Sequence, residues 1–256
     1  MSDSLVKTAF DGSIYAITLG RPAKRNAVND QLLAALETAL TQQPEHARVI
    51  LLGAEGEHFC AGLDLSEHQH RDPFGVTRHS QWWHRLFHRL EHGGVPVVAA
   101  LRGAVIGGGL ELAAATHVRV AEPDTFYQLP EGRHGIFVGG GASVRVAKII
   151  GPGRMCEMML TGRIVNAEEG QRLGLSHYLV GKDQSADKAR ELAQRIAQNA
   201  PLANWAMVTA IDRIHDMASD QGLYVESLTA ALTQTGPEVR ERIAEFLQRK
   251  GKGPQL

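Results

Sequence analysis

Between Arg48 and Ile150 the chain repeats one pattern, an apolar run followed by a loop of small residues and then a helix, and this limits the folds open to it. Arg48–Gly53 (RVILLG) precedes the loop His58–Leu65, and Pro96–Leu101 (PVVAAL) precedes the glycine run Gly107–Gly109 and a short helix over Leu110–Ala115. His117–Ala121 precedes a glycine-rich loop, Gly135–Gly141, that enters a helix over Ala142–Ile150. Short, continuously apolar runs bounded by glycine read as buried strands. Strand, loop and helix therefore alternate, which places the chain in the α/β class. Ahead of this region, Val6–Phe10 and Ile14–Leu19 flank an Asp11-Gly12 turn and predict a hairpin. Asp30 is placed to cap a helix carrying Leu32, Leu33, Leu36 and Leu40 at helical spacing and ending before Pro44. A charged, histidine-rich stretch over Glu67–Arg78 leads to an amphipathic helix over His79–Glu91. From Ser185 onward only helices are predicted, over Ala186–Asn199, Leu202–Met217, Leu223–Thr233 and Pro237–Lys250. We divide the chain into a core over residues 1–195 and a helical module over residues 196–256.

Composition narrows the partner. The 256 residues are 43% hydrophobic and carry a formal net charge of −1, so one sizeable core is expected, with no overall pull toward nucleic acid or an anionic membrane. A small molecule is the expected partner. The two cysteines, Cys60 and Cys156, form no C-x-x-C pair, which argues against a disulfide framework or thiolate metal site and fits a reducing cytoplasm. Met1–Phe10 has no basic stretch followed by an apolar run, and no apolar run approaches a membrane span, so neither export nor membrane insertion is expected.

Two loops are suited to chemistry. His58-Phe59-Cys60-Ala61-Gly62-Leu63-Asp64-Leu65 and Arg102–Leu112 (RGAVIGGGLEL) each follow an apolar strand and are built of small residues, so that backbone N–H groups can approach a ligand closely. In the second loop three glycines lie at a predicted helix start, where unpaired N–H groups suit a developing oxyanion.

With these loops, the segments RPAKRNAV (Arg21–Val28) and LPEGRHGIFVGGGAS (Leu129–Ser143) complete a set of four motifs. In order and separation they resemble the crotonase superfamily, enoyl-CoA hydratase and its relatives, from about Gly12 to Lys250. The resemblance implies a spiral of repeated ββα units followed by a helical module, and assembly as a homotrimer or a dimer of trimers. It also implies an acyl-CoA thioester as substrate, with no cofactor beyond the coenzyme A that the substrate itself carries. The thioester oxygen would be bound by the backbone N–H groups of Leu63 and Gly108. Glu111 and Glu131 match the two catalytic glutamates of the family's hydratases. Such a pair suits hydration of an α,β-unsaturated thioester, because one carboxylate handles water at Cβ while an acid protonates Cα. Like charge and apolar neighbours should raise the pKa of at least one. The coenzyme would draw on Lys24, Arg25 and Ala27, and on backbone at Ala61, Asp64 and Leu65.

Several features depart from the hydratase pattern. Val138 stands where the family often has proline, within Gly135-Ile136-Phe137-Val138-Gly139-Gly140-Gly141. Trp82, Trp83 and Tyr224 resemble features of hydroxycinnamoyl-CoA hydratase-lyases, whereas Glu111 does not, since one of those enzymes carries serine there. Trp82, Trp83, His134, Phe137 and Tyr224 are thus the expected acyl-pocket residues. His84, His88 and His92 recur every four residues with His68, His70 and His79 upstream, but H-E-x-x-H is missing, and a solvated helix face without metal is expected. Two alternatives to a hydratase remain: a hydratase-lyase or isomerase of the same superfamily, and a non-catalytic CoA- or RNA-binding member.

Overall fold

A computed structural model describes residues 4–66, 71–236 and 238–250. Strands β1 (Val6–Phe10) and β2 (Ile14–Leu19) form the expected antiparallel hairpin. Helix α1 (Asp30–Thr41) buries Leu32, Leu33, Leu36 and Leu40, each contributing roughly 1.5–3 kcal/mol of hydrophobic stabilisation. Its cap is Asn29 rather than Asp30: the Asn29 side chain accepts from the Leu32 N–H, and Asp30 begins the helix. Strand β3 (Val49–Ala54) follows. Helix α2 (Pro73–His92) starts six residues before the sequence places it, because Asp72 caps it through the Gly75 N–H and Pro73 fits the first helical position. His68 and His70 lie outside the described residues.

Strand β4 (Val97–Leu101) leads into β5 (Ala104–Ile106) and helix α3 (Gly108–Ala114), then β6 (Val118–Ala121) and β7 (Phe126–Gln128). Helix α4 (Ala142–Ile150) begins and ends where expected. Sequence pattern gives no assignment between Gly151 and Gln184, where the structure has α5 (Pro152–Thr161), β8 (Val165–Asn166), α6 (Ala167–Leu173) and β9 (Tyr178–Leu179). Two-residue strands and a seven-residue helix are too short to show a period. Helices α7 (Ser185–Ala197), α8 (Pro201–His215), α9 (Ser219–Gln234) and α10 (Val239–Lys250) complete the chain.

One sheet runs β1-β2-β3-β4-β6-β9, parallel at every pairing except β1 with β2, and a smaller sheet runs β5-β7-β8. The central parallel strands β3 and β4 are apolar throughout because both faces are covered. On one face, Ile17, Ile50, Leu52, Val97, Ala99 and Leu101 join the main core beneath α1, α2 and α3. On the other, Ile14, Val49, Leu51, Val98 and Val120 pack against Ala189, Leu192 and Ala193 of α7. The mixed α/β architecture expected from the sequence is present. Among the described residues no helix is long and apolar enough to cross a membrane.

Candidate active site

The loop after β3 and the segment leading into α3 are stitched together by backbone. Cys60 N–H donates to Ala104 O at 2.9 Å and Ile106 N–H to Cys60 O at 3.1 Å, an isolated parallel bridge between Cys60 and Val105. On the other side, Val28 N–H donates to Gly62 O and Asp64 N–H to Val28 O. Leu63 is thus held between two bonded neighbours, and among the described residues neither its N–H nor that of Gly108 has an acceptor. Gly62 sits at φ +88°, and a Cβ there would stand 2.7 Å from Ile106 O and 3.2 Å from the Gly108 nitrogen. No side chain fits.

The Arg21–Val28 segment braces this loop. Fully buried Asn26 donates through Nδ2 to Glu55 O and His58 O and accepts from Arg21 N–H. Arg21 Nη1 contacts Asp64 Oδ2 at 2.6 Å and also donates to Ala27 O. Hydrogen bonding from Ser66, aided by Arg21, holds the Asp64 carboxyl down to about 2. The Asp64 side chain is therefore a tether for the loop. Cys60 is buried with its thiol pushed up to about 12, which makes it inert rather than nucleophilic.

Glu111 reaches the site from the first turn of α3 and is buried. Its Oε1 accepts from the N–H groups of Gly140 (2.8 Å) and Ala142 (3.0 Å), while Oε2 lies so close to Gly140 that a Cβ there would be 2.6 Å away. Burial raises its pKa, and the two N–H groups act in the opposite sense. Arg145 supports the loop from behind, donating to Gly140 O at 3.2 Å and to Glu91 of α2 at 2.8 Å. Glu131 opens a 3-10 turn, Glu131–His134, just past β7. Its Oε2 is buried without a hydrogen-bond partner among the described residues, and its Oε1 would lie 2.9 Å from a Cβ on Gly107. Burial, reinforced by the Glu111 charge, pushes its pKa up to about 7. The expectation that one carboxyl would be raised holds for both.

These groups face one cavity of about 520 Å³. Of the residues expected from the sequence, Ala61, Leu63, Leu65, Trp83, Gly108, Glu111, Glu131, His134 and Phe137 all line it. Trp83 is buried there against Phe87, and a Cβ on Gly108 would stand 2.8 Å from its Cζ3. Trp82 does not line the cavity: its indole points away from it and donates to Glu37 of α1 at 2.9 Å. Consecutive residues on a helix lie about 100° apart, so one tryptophan of the pair had to turn outward. Tyr224 is exposed on α9 and, within this one chain, does not line the cavity either. Lys24 and Arg25 are exposed beyond the loop, Lys24 Nζ 3.4 Å from Ser66 Oγ and Arg25 O accepting from Ala61 N–H. Ala27 and Asp64 shape the loop from behind without lining the cavity.

Sequence reasoning passed over His79 and Ser80 as lining residues, and the N–H groups that hold Glu111. The available signal for the latter was the Gly139–Gly141 run ahead of α4, read only as a loop.

Comparison with known proteins agrees with this geometry. The family model described as enoyl-CoA hydratase/isomerase matches residues 9–253. A 2,3-dehydroadipyl-CoA hydratase of Escherichia coli is 31% identical over 241 residues, covering 93% of this chain and 93% of the relative. A short-chain-enoyl-CoA hydratase of Clostridium acetobutylicum is 28% identical over 243 residues, covering 94% and 93%. The crystal structure of a Rhodopseudomonas palustris protein provisionally named an enoyl-CoA hydratase superposes with a TM-score of 0.94 at 49% identity, covering 98% and 97%. With matching motifs, matching fold and two glutamates lining one cavity with Leu63 and Gly108, the chain belongs to the enoyl-CoA hydratase/isomerase family, among the enzymes of the crotonase superfamily.

Proposed function

We propose that this protein is an enoyl-CoA hydratase, adding water across the 2,3 double bond of an enoyl-CoA thioester. The observation that carries the reading is the unequal treatment of two carboxyls in one cavity. Glu111 Oε1 receives two backbone N–H groups, which favour the anion, whereas Glu131 Oε2 is buried without a partner, which favours the acid. The N–H groups of Leu63 and Gly108 bind the thioester oxygen and stabilise the enolate-like transition state. One such donor contributes roughly 3–4 kcal/mol in other enzymes. Glu111 orients a water and takes its proton as oxygen attacks Cβ, and Glu131 delivers a proton to Cα. Proton exchange between the two carboxyls and solvent then resets the site.

The coenzyme leaves past Ala61 and Leu65 at the cavity mouth, with exposed Lys24 and Arg25 available to its phosphates. Trp83, His134 and Phe137 surround the acyl group. No redox group or metal is needed for this chemistry. The hydratase-lyase alternative loses the support of Trp82 and Tyr224, which stand outside the cavity of this chain.

Hydration bleaches the absorbance of the conjugated thioester, and mass analysis separates a gain of one water from isomerisation or cleavage. Full activity in both Glu111→Gln and Glu131→Gln would refute the mechanism, and acyl-CoA binding without any product would favour the non-catalytic alternative. Self-association as a trimer or a pair of trimers is part of the proposal. Ile211 of α8, Leu223 and Leu228 of α9, and Phe246 and Leu247 of α10 are exposed apolar side chains that a subunit interface would cover. Light scattering showing a monomer would contradict it.

A further inference from the structure

The last turn of α2 presents His88, Glu91 and His92, at the i, i+3 and i+4 positions of one helix face. Their ligand-type atoms all lie within 4.8 Å of one another, the arrangement of such side chains found among the described residues. None of the three lines the catalytic cavity; Glu91 and His92 instead border a second one of about 620 Å³ beneath α8. The sequence suggests a solvated face here; His84 and His88 are exposed as expected, whereas the His92 side chain is only 7% exposed.

The geometry around His92 is unusual for a hydrogen-bonded histidine. Its Nε2 is 3.6 Å from Glu91 Oε2 and 3.8 Å from Asp212 Oδ2 of α8, both too long for hydrogen bonds. Two ligands of a tetrahedral zinc-class ion, each about 2.1 Å from it, lie about 3.4 Å apart. Nδ1 faces Val208 O at 3.4 Å, which favours the tautomer with the proton on Nδ1 and the Nε2 lone pair toward the carboxylates. His88, Glu91 and His92 thus offer ligand atoms within reach of one ion, and Asp212 Oδ2 stands 3.8 Å from His92 Nε2 on the α8 side. Both carboxylates are anchored: Arg145 Nε donates to Glu91 Oε2 at 2.8 Å, the oxygen nearer His92, which keeps a second lone pair, and Lys148 Nζ donates to Asp212 Oδ1 at 2.9 Å, leaving Oδ2 toward His92.

We propose that His88, Glu91 and His92, with Asp212 from α8, form a binding site for a zinc-class divalent transition metal that ties α2 to the C-terminal helices. The cations Arg145, Lys148 and Arg213 around the cluster disfavour Ca²⁺ or Mg²⁺, which depend on surplus carboxylate charge, and leave imidazole-seeking metals as the class.

The test uses the full chain stripped with a chelator and titrated with ZnCl₂ by calorimetry, with Co²⁺ as a visible-absorption probe of tetrahedral coordination. The expected result is one equivalent per chain, a higher melting temperature with Zn²⁺, and at least tenfold weaker binding in each of His88→Ala, His92→Ala and Asp212→Asn. His88 is the exposed member, so His88→Ala keeps the test valid if the buried His92 variant fails to fold. No saturable Zn²⁺ uptake up to about 1 mM, or uptake unchanged in the His88 and Asp212 variants, would overturn the site.

Discussion

If Glu131 delivers the proton to Cα, hydration must decline as that carboxyl ionises. Its pKa of about 7 follows from a buried Oε2 with no hydrogen-bond partner, with the Glu111 charge nearby. A group with that pKa is about nine-tenths protonated at pH 6 and about one-tenth at pH 8, so kcat/KM for hydration should fall about ninefold to tenfold across that interval. A glutamate left at 4.5 would be protonated to about 3% at pH 6 and about 0.03% at pH 8, so the rate would fall about a hundredfold over the same interval, tenfold per pH unit with no bend near 7. The assay is the initial rate of absorbance loss of a conjugated enoyl-CoA, at subsaturating substrate and constant ionic strength, from pH 5.5 to 8.5. Glu131→Gln should lose about 10²–10⁴-fold in rate, together with the descending limb. Reference enzyme with a flat rate between pH 6 and 8, or Glu131→Gln with the same limb, would refute the assignment. A shift of the limb by about one pH unit would leave the role intact and correct only the depth of burial.

Three further outcomes follow from the same geometry. Glu111→Gln should be inactive yet at least as stable as the parent at pH 7–8. A carboxyl whose folded pKa is raised contributes stability below its unfolded pKa and loses it as pH rises through the folded one, a loss the neutral amide escapes; thermal denaturation showing a markedly less stable variant would contradict this. Gly108→Ala should lower kcat by about 10²–10³-fold, because its Cβ would press on Trp83 and stand 3.6 Å from the Leu63 nitrogen, disturbing both donors; steady-state kinetics near the parent value would count against the oxyanion site. Trp82→Phe should leave kcat/KM within about twofold whereas Trp83→Ala shifts acyl preference, and a panel of short, long and aromatic enoyl-CoAs reads both.

The sequence was most informative where local pattern and long-range packing agree. The apolar runs at β3 and β4 were legible because strands covered on both faces carry no polar alternation. The four motifs placed Leu63, Gly108, Glu111 and Glu131 together before any coordinates, and all four line one cavity. What escaped depends on distant partners. Strands β5, β7 and β8 are two or three residues long and exist only because they pair with one another. The start of α2 was hidden among charged residues because its cap, Asp72, looks like any other polar side chain. Choosing between Trp82 and Trp83 required the rotation of α2 about its axis, which neighbouring positions of equal hydrophobicity do not encode. The bracing of Glu111 by Gly140 and Ala142 joins residues about thirty apart through main-chain atoms, which carry no side-chain signature.

The bridge between Cys60 and Val105 ties the two proposed oxyanion donors to strand register, and register changes only in whole residues. The distance between the Leu63 and Gly108 nitrogens is therefore not a quantity that substitutions tune by small steps; a one-residue deletion in either segment would abolish it, whereas most exchanges of the Leu63 side chain would leave it in place. Ile136 and Phe137, exposed at the rim, bear no such constraint. Evolution can exchange the rim for new acyl groups while inheriting the polarising device intact, much as a tool keeps its shank when the bit is changed.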